Sequence, residues 1–323
     1  MSTPSKITQP LSGAKSAFPA PPQGDLAELA DVTPLSWVLL AGALLAVAWA
    51  YVETFRQLIH VWDVDPSYSH GFVVPFFAIG LATVAYQRHL VSPLKLNASR
   101  RDLIVGVAEI AVGVNLHLAS VFLGKFGLLL DVIALIFILL GLLMVAGGKA
   151  SNQAYSFPVF FLIFMAPLPL VIYTPIALVL QNLASTVTVF LFDLCGIAAQ
   201  RQGFHIRIPG HQMEVGDACS GLRSLTAILA LAAAVAYLSG RSMTYRWTLG
   251  MIAAPVAIAV NCLRVFGTGL IMLYIGPEWA SGDAHKYEGM LMIGIAALII
   301  LFLAWLFAAM EDWLRGEGRN AAQ

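Results

Sequence analysis

Long runs of apolar residues alternate along the chain with short breaks that carry charges, glycines or prolines. A bilayer core about 30 Å thick needs about 20 mostly apolar helical residues, and eight runs approach or exceed that length. They predict membrane-spanning helices at residues 34–53, 71–86, 102–122, 126–146, 155–173, 219–239, 247–273 and 287–310. The pattern therefore predicts an all-α fold, a polytopic membrane helix bundle of about eight transmembrane helices.

One further apolar stretch, residues 174–194, differs from these spans in its polar residues and in the prolines at its start. Proline blocks a regular helix, and six polar side chains interrupt the apolar run. These residues are Pro167, Pro169 and Pro175, and then Gln181, Asn182, Ser185, Thr186, Thr188 and Asp193. We expect an amphipathic helix on the outer membrane surface. A ninth span is the alternative, because the stretch is long and apolar.

Lysine and arginine in the loops predict the orientation, because cytoplasmic loops carry an excess of these residues. With eight spans, 11 of the 18 lie on the side of both termini and 5 on the other side. The remaining two, Arg223 and Arg264, lie within spans. Both termini are therefore predicted to be cytoplasmic. A ninth span would move one group of loops to the wrong side, so the charges favour the surface helix.

The composition agrees with a membrane protein and excludes other classes. Hydrophobic residues make up 59% and charged residues 11%, against about 45–50% and about 25% in soluble domains. Equal numbers of basic and acidic residues leave no excess for binding nucleic acid. Residues 1–33 have no apolar run and predict a disordered cytoplasmic tail. The predicted membrane domain covers 34–310, and a cytoplasmic C-terminal tail covers 311–323.

The first candidate for chemistry is Cys219 in VGDACSGLRSL, where the span 219–239 begins. A helix N-terminus stabilises an anion, and Arg223, four residues on, shares a helix face with the cysteine. Both effects favour the thiolate that a cysteine nucleophile requires. Asp217 could cap the helix. The alternative is a small buried cysteine that packs inside a membrane helix.

Three other groups are predicted on the same outer side. Asn261 and Arg264 share a helix face, and the guanidinium could bind a carbonyl oxygen as it becomes negative, or a substrate carboxylate; it could also simply reach lipid headgroups. His285, just outside the last span, could move the proton that acyl transfer needs, or be a solvated surface residue. His70 lies in the loop DVDPSYSHG, which forces no chemistry by itself. Together these residues favour covalent acyl transfer, and none of their spacings predicts a metal site or a cofactor.

These motifs resemble those of the exosortase/archaeosortase family of membrane cysteine transpeptidases, in its exosortase branch. The resemblance covers about residues 60–300 and rests on five elements in order. They are DPSYSHG (65–71), MAPLP (165–169), EVGDACSGLRSL (214–225), NCLR (261–264) and HKYEG (285–289). It implies that Cys219 is the nucleophile, that His285 donates and accepts the proton, and that Arg264 stabilises the oxyanion or positions the substrate. Arg223 is a second candidate for the oxyanion.

The resemblance also implies a substrate class and a location. Substrates would be exported proteins with a C-terminal motif such as PEP, a transmembrane helix and a basic cluster. Cleavage would occur at the periplasmic face of the bacterial inner membrane, with transfer to an unidentified lipid or glycan acceptor, in connection with extracellular polysaccharide. Asn261, Asp217 and His70 would support catalysis or bind substrate.

Two other functions stay open at this point. Charged residues within the spans, Glu109 and Asp131 among them, would also fit a transporter or a membrane component of a polysaccharide export system. Proteolysis without transfer is the second alternative. A disulfide between Cys195 and Cys219 would remove the nucleophile, whereas Cys262 is expected to pack in the core.

Overall fold

The computed structural model describes residues 34–89, 98–216, 221–280 and 282–320, and within these ranges the chain is predominantly helical. The helices are α1 (Pro34–Ala50), α2 (Val52–Val64), α3 (Val74–His89), α4 (Arg100–Ser120), α5 (Gly127–Phe160), α6 (Leu170–Leu194), α7 (Leu222–Leu238), α8 (Met243–Tyr274) and α9 (Gly282–Asn320). The strands are β1 (Gln200–Gln202), β2 (His205–Ile208) and β3 (His211–Glu214). The predicted tail over residues 1–33 lies outside the described residues. The last helix continues past residue 310, where its span was predicted to end.

The first predicted span is divided. Helices α1 and α2 meet at Tyr51 and are bent by 57° relative to each other. Tyr51 has φ −97° and ψ 6°, outside the helical region, and its side chain is buried. The predicted span ended at Glu53, two residues after this break, so α2, whose sequence is amphipathic, was not predicted as a helix. After α2 the chain turns at Asp65, whose carboxylate accepts a hydrogen bond from the Ser67 amide at 2.8 Å.

Helix α5 contains a reversal at Gly148, where φ is +66°. The Asn152 side-chain amide donates to the Leu140 carbonyl at 3.2 Å, although a straight helix would separate these residues by about 18 Å. The two arms of α5 therefore run antiparallel. The first arm matches the predicted span 126–146, whereas the predicted span 155–173 begins within the second arm and runs past Phe160 into the first turn of α6. A left-handed φ favours glycine, and Gly148 supplies it.

Hydrogen bonds tie together one end of the bundle, here called the basic end. Arg88, at the end of α3, donates to the Tyr237 carbonyl at 2.8 Å and also to Leu238 at the end of α7. Arg241, just before α8, donates to both oxygens of Asp312 at 2.8 and 2.9 Å. Its hydrogen bonding to this carboxylate raises the pKa of Arg241 above its usual range.

The other end carries the three-stranded antiparallel sheet β1-β2-β3 and is called the sheet end. The sheet was not predicted from the sequence. Ile206 pairs with Met213 across β2 and β3, and both side chains are buried in a cluster with Phe192 of α6 and Val265 of α8. Arg201 of β1 donates to the Thr186 hydroxyl at 2.6 Å, which fixes the sheet against α6.

Helix α6 does not return the chain to the opposite end. Tyr173, near its start, shares a small cleft with Leu222, the first residue of α7. The ring centroid of Phe192, near the other end of α6, lies 4.9 Å from the ring centroid of Phe266 of α8. The segment from α6 through the sheet therefore leaves and rejoins the same level of the bundle, and its strands are too short to cross a membrane. This agrees with the prediction that 174–194 is not a ninth span.

Six described helices, α6 among them, are long and apolar enough to cross a membrane, and α1 with α2 makes a seventh. If α6 lies at the surface and α5 crosses twice, the shorter α7 brings the count to eight. The number of eight spans therefore stays a prediction. An all-α polytopic membrane bundle is confirmed.

Helix α7 lies at the centre of this bundle, between two apolar cores. Its Ala230 and Ala234 pack with the core formed mainly by α2, α3 and α5. On its other face, Ile228, Ala232 and Ala236 pack with α8 and α9. Small side chains on both faces let α7 approach both groups of helices closely.

Candidate active site

The segment that follows Cys219 contacts the NCLR motif through Gly221. A Cβ added to Gly221 would lie 2.5 Å from Asn261 Cγ and 2.6 Å from its Nδ2, and Gly221 has φ +79°. Both the space and the left-handed backbone therefore require glycine. Asn261 is buried. Two motifs that are about 40 residues apart in the sequence are thus in direct contact.

Arg264 joins this pair to the third motif. It lies about one turn after Asn261 on α8 and is half-buried. Its Nη1 is 3.7 Å from the position of a Cβ on Gly289 of α9. His285 is four residues earlier on the same helix, so it shares a helix face with Gly289. The backbone therefore puts His285 one helical turn from Gly289, the residue that the Arg264 guanidinium approaches.

Arg223 faces a different part of the sheet end. It lies in the first turn of α7 and is half-buried. It lines a small cleft with Ser67, Tyr68 and Leu168. The predicted helix-start motif thus adjoins the two upstream motifs DPSYSHG and MAPLP. The described residues of all five elements lie at the sheet end.

Hydrogen bonds join the region of the DPSYSHG motif to the MAPLP motif. Trp62 donates its indole N–H to the Met165 carbonyl at 3.0 Å. The Tyr68 hydroxyl accepts from the Leu168 amide at 3.2 Å and donates to the Leu168 carbonyl at 3.4 Å. A Cβ on Gly71 would lie 2.3 Å from the Trp62 ring, so this close approach requires glycine. Sequence reasoning missed Trp62 and Tyr68 as supports of the site, although Tyr68 lies within one of the motifs.

His70 lies at the sheet end, where its contacts are those of a packing residue. Its Nε2 lies 3.1 Å from the Phe164 carbonyl. The ring also borders an apolar cleft of about 170 Å³ that includes Phe77 and Ala227. These contacts hold the loop before α3 against the end of α5.

Several predicted site residues cannot be compared with the structure. Asp217 and Cys219 lie outside the described residues, and His285 is described by its backbone alone. Cys195 is exposed and its thiol is free, while Cys262 is buried and free, as expected of a packing residue. Within the described ranges, no group of three His, Cys, Asp or Glu residues is arranged to hold a metal ion.

The acidic residue Asp131 has a local role in packing. Its carboxylate accepts from Thr54 at 2.8 Å and from Ser120 at 2.5 Å, and it lies 2.9 Å from His117 Nδ1. These partners belong to α2 and α4, whereas Arg223 and Arg264 lie on α7 and α8. The contacts of Asp131 are therefore those of a buried structural carboxylate.

Comparison with known proteins agrees with the motifs. A family model described as transmembrane exosortase (Exosortase_EpsH) matches residues 62–302, about three quarters of the chain. The matched region contains all five motifs. No curated protein and no solved structure matches the chain.

Proposed function

Because the chain belongs to the transmembrane exosortase family, we propose that it is a cysteine transpeptidase that cleaves C-terminal sorting signals of exported proteins. One observation carries the proposal. Gly221, two residues after Cys219, packs against Asn261, and Arg264 on the same helix reaches Gly289, one turn from His285. Three distant segments that hold a thiol, a guanidinium and an imidazole therefore converge at the sheet end.

The short distance along the chain supports Cys219 as the nucleophile. Two residues of extended chain span at most about 7 Å, so the Cys219 α-carbon lies within that distance of the Gly221 α-carbon. Gly221 in turn touches Asn261, and Arg264 follows one turn later on α8. The start of α7 contributes a partial positive charge beside the thiol. This environment favours the thiolate.

The proposed reaction has two steps. The Cys219 thiolate bonds to the scissile carbonyl carbon, and the guanidinium of Arg264 stabilises the negative charge on its oxygen. The peptide C–N bond breaks, the leaving amine takes a proton from His285, and an acyl thioester remains. An acceptor hydroxyl or amine then gives its proton to His285 and attacks the thioester, which releases Cys219 as a thiolate.

The supporting residues have separate proposed roles. Asn261 holds the backbone at Gly221, which fixes the position of the cysteine segment. Arg223 lies in the first turn of α7 beside Tyr68 and Leu168, where it can bind a substrate carbonyl or carboxylate. The predicted helix start at residue 219 was wrong, because α7 begins at Leu222 with Gly221 at the N-cap position; Asp217 therefore keeps only the proposed role of a supporting or substrate-binding residue. His70 supports the loop through the Phe164 carbonyl.

The distribution of charge supports a periplasmic site in the bacterial inner membrane. The loops at the basic end carry most of the Lys and Arg residues, which is typical of the cytoplasmic side. A substrate helix of about 20 residues separates its motif from its basic cluster by about 30 Å, one bilayer core. With the basic cluster in the cytoplasm, the motif reaches the sheet end.

Co-expression with an exported protein that carries such a signal tests the proposal. The wild-type chain should shorten this substrate, and Cys219→Ala should abolish the shortening while the protein still accumulates in the membrane. The mass of the new substrate C-terminus distinguishes the two enzymatic outcomes, because a free acid means hydrolysis and an added group means transfer. Undiminished processing by Cys219→Ala would rule out the cysteine mechanism.

A further inference from the structure

A cavity lined by described residues lies away from this site, between α7, α8 and the second arm of α5. Its volume is about 580 Å³, and it is lined by apolar side chains that include Phe157, Leu229, Ala233 and Met251. Arg246 is the one charged residue among the described residues that line it. We call this cavity the lipid groove, for the reasons that follow.

The lipid groove runs parallel to the helices from the basic end into the bundle. On α7 its lining extends from Tyr237 back to Leu229, and on α8 it extends from Met243 to Met251. Each stretch corresponds to about 12 Å of helix. Because α7 ends and α8 begins at the basic end, Arg246 lies near the entrance and Met251 lies near the inner end.

The side of the groove is open to the surroundings. Trp247 is 66% exposed, Met243 is 62% exposed and Met251 is 74% exposed. Tryptophan is typical of the membrane–water interface. Methionine side chains are unbranched and adapt to flexible apolar ligands. The rim therefore suits a chain that enters from the membrane.

Among the described residues, Arg246 has no carboxylate to pair with. Its Nε donates to the Arg241 carbonyl at 3.1 Å, which holds the side chain at the entrance. Nearby Arg241 pairs with Glu311 and Asp312. Over the ranges that the structure describes, no carboxylate lies within ion-pair distance of Arg246. A guanidinium in this position is complementary to a phosphate.

We infer that the lipid groove binds one anionic glycerophospholipid from the leaflet at the basic end, with its phosphate on Arg246 and an acyl chain along α7 and α8. The charge at the entrance favours this occupant over a substrate helix, because a helix that ends in a basic cluster would be repelled by Arg246. The inference is independent of the proposed enzymatic activity.

Native mass spectrometry of the purified full-length protein tests the inference. Phosphatidylglycerol or phosphatidylcholine is added to the protein, and the two lipids have identical acyl chains. The wild type should retain one phosphatidylglycerol about tenfold more tightly than phosphatidylcholine, and Arg246→Gln should remove the preference. Arg100→Gln, an exposed arginine at the start of α4, is the matched control and should keep it. Equal retention of the two lipids by the wild type, or an unchanged preference in Arg246→Gln, would overturn the inference.

A second pair of variants tests the acyl-chain position. Ala233→Phe fills the lipid groove and should lower retention of both lipids about tenfold. Ala227→Phe, on the same helix but at the smaller cleft beside His70, should not lower it. If the two variants retain lipid equally, the acyl chain of the lipid does not lie in the lipid groove. A bound protein lost only in Ala233→Phe would identify a protein occupant and contradict the lipid assignment.

Discussion

Replacing Gly221 with alanine tests whether the contact between the cysteine segment and α8 sets the site. The added Cβ would lie 2.5 Å from Asn261 Cγ and 2.9 Å from its Cβ, and the backbone would have to keep φ +79°. Asn261 is buried. Either the Asn261 side chain or the start of α7 must therefore move. If the start of α7 moves, the segment that holds Cys219 moves with it.

The strained backbone and the steric overlap each destabilise the fold by a known amount. A left-handed backbone costs a residue with a Cβ about 1–2 kcal/mol, and overpacking a buried contact costs about 1–3 kcal/mol. The free energy of unfolding should therefore fall by about 2–5 kcal/mol. The catalytic effect should be larger than this loss suggests, because a displacement of about 1 Å at reacting groups can cost about 100-fold in rate.

The assay compares Gly221→Ala with Gly216→Ala in membranes that contain the substrate. Gly216 lies on the other side of Cys219, and a Cβ there would meet nothing within 4 Å. We expect about 100-fold slower cleavage for Gly221→Ala and near wild-type cleavage for Gly216→Ala. Adding Asn261→Ala to Gly221→Ala removes the contacts at Cγ and Nδ2 and should raise the thermal midpoint again. Wild-type cleavage and melting of Gly221→Ala would refute the proposed packing.

Three further substitutions have expected outcomes. Arg264→Gln should slow cleavage by about 100–1,000-fold while the melting temperature stays near that of the wild type; a normal rate would remove Arg264 from the mechanism. Gly71→Ala should lower the free energy of unfolding by about 1–3 kcal/mol because its Cβ meets the Trp62 ring, whereas Gly80→Ala in open space should not; equal melting of the two would contradict this contact. Asp131→Ala leaves buried donors without their acceptor and should cost about 3–5 kcal/mol, as measured by thermal denaturation; an unchanged midpoint would show that these hydrogen bonds do not stabilise the fold.

The membrane-spanning helices could be predicted because they follow from local composition, while the exact number of passes and their direction stay predictions. Span length is set by bilayer thickness, and the side of each loop is set by its lysines and arginines. The reversal within α5 was also predicted, since Gly147, Gly148 and Lys149 interrupt the apolar run. These features depend on short segments of sequence and not on which helices touch.

Features that depend on contacts between distant segments could not be predicted. The strands β1, β2 and β3 are too short for an alternating pattern to stand out. The bend at Tyr51 is not marked by glycine or proline in the sequence. Trp62 looked like one more aromatic residue, although its indole N–H reaches Met165. The order of the motifs predicted a common site, but the contact of Gly221 with Asn261 appears only in three dimensions.

The unequal lengths of α7 and α8 explain where the site lies. Helix α7 is about 26 Å long and begins beside Asn261, whereas α8 is about 48 Å long and continues about 20 Å beyond that residue. The cysteine segment therefore enters at a step, beyond which the last part of α8 packs against α6 and the sheet. A bilayer core about 30 Å thick that covers α7 ends near this step. The proposed nucleophile would then meet a peptide bond just as the substrate chain leaves the membrane, which explains why a short α7 and a long α8 suit cleavage beside a transmembrane helix.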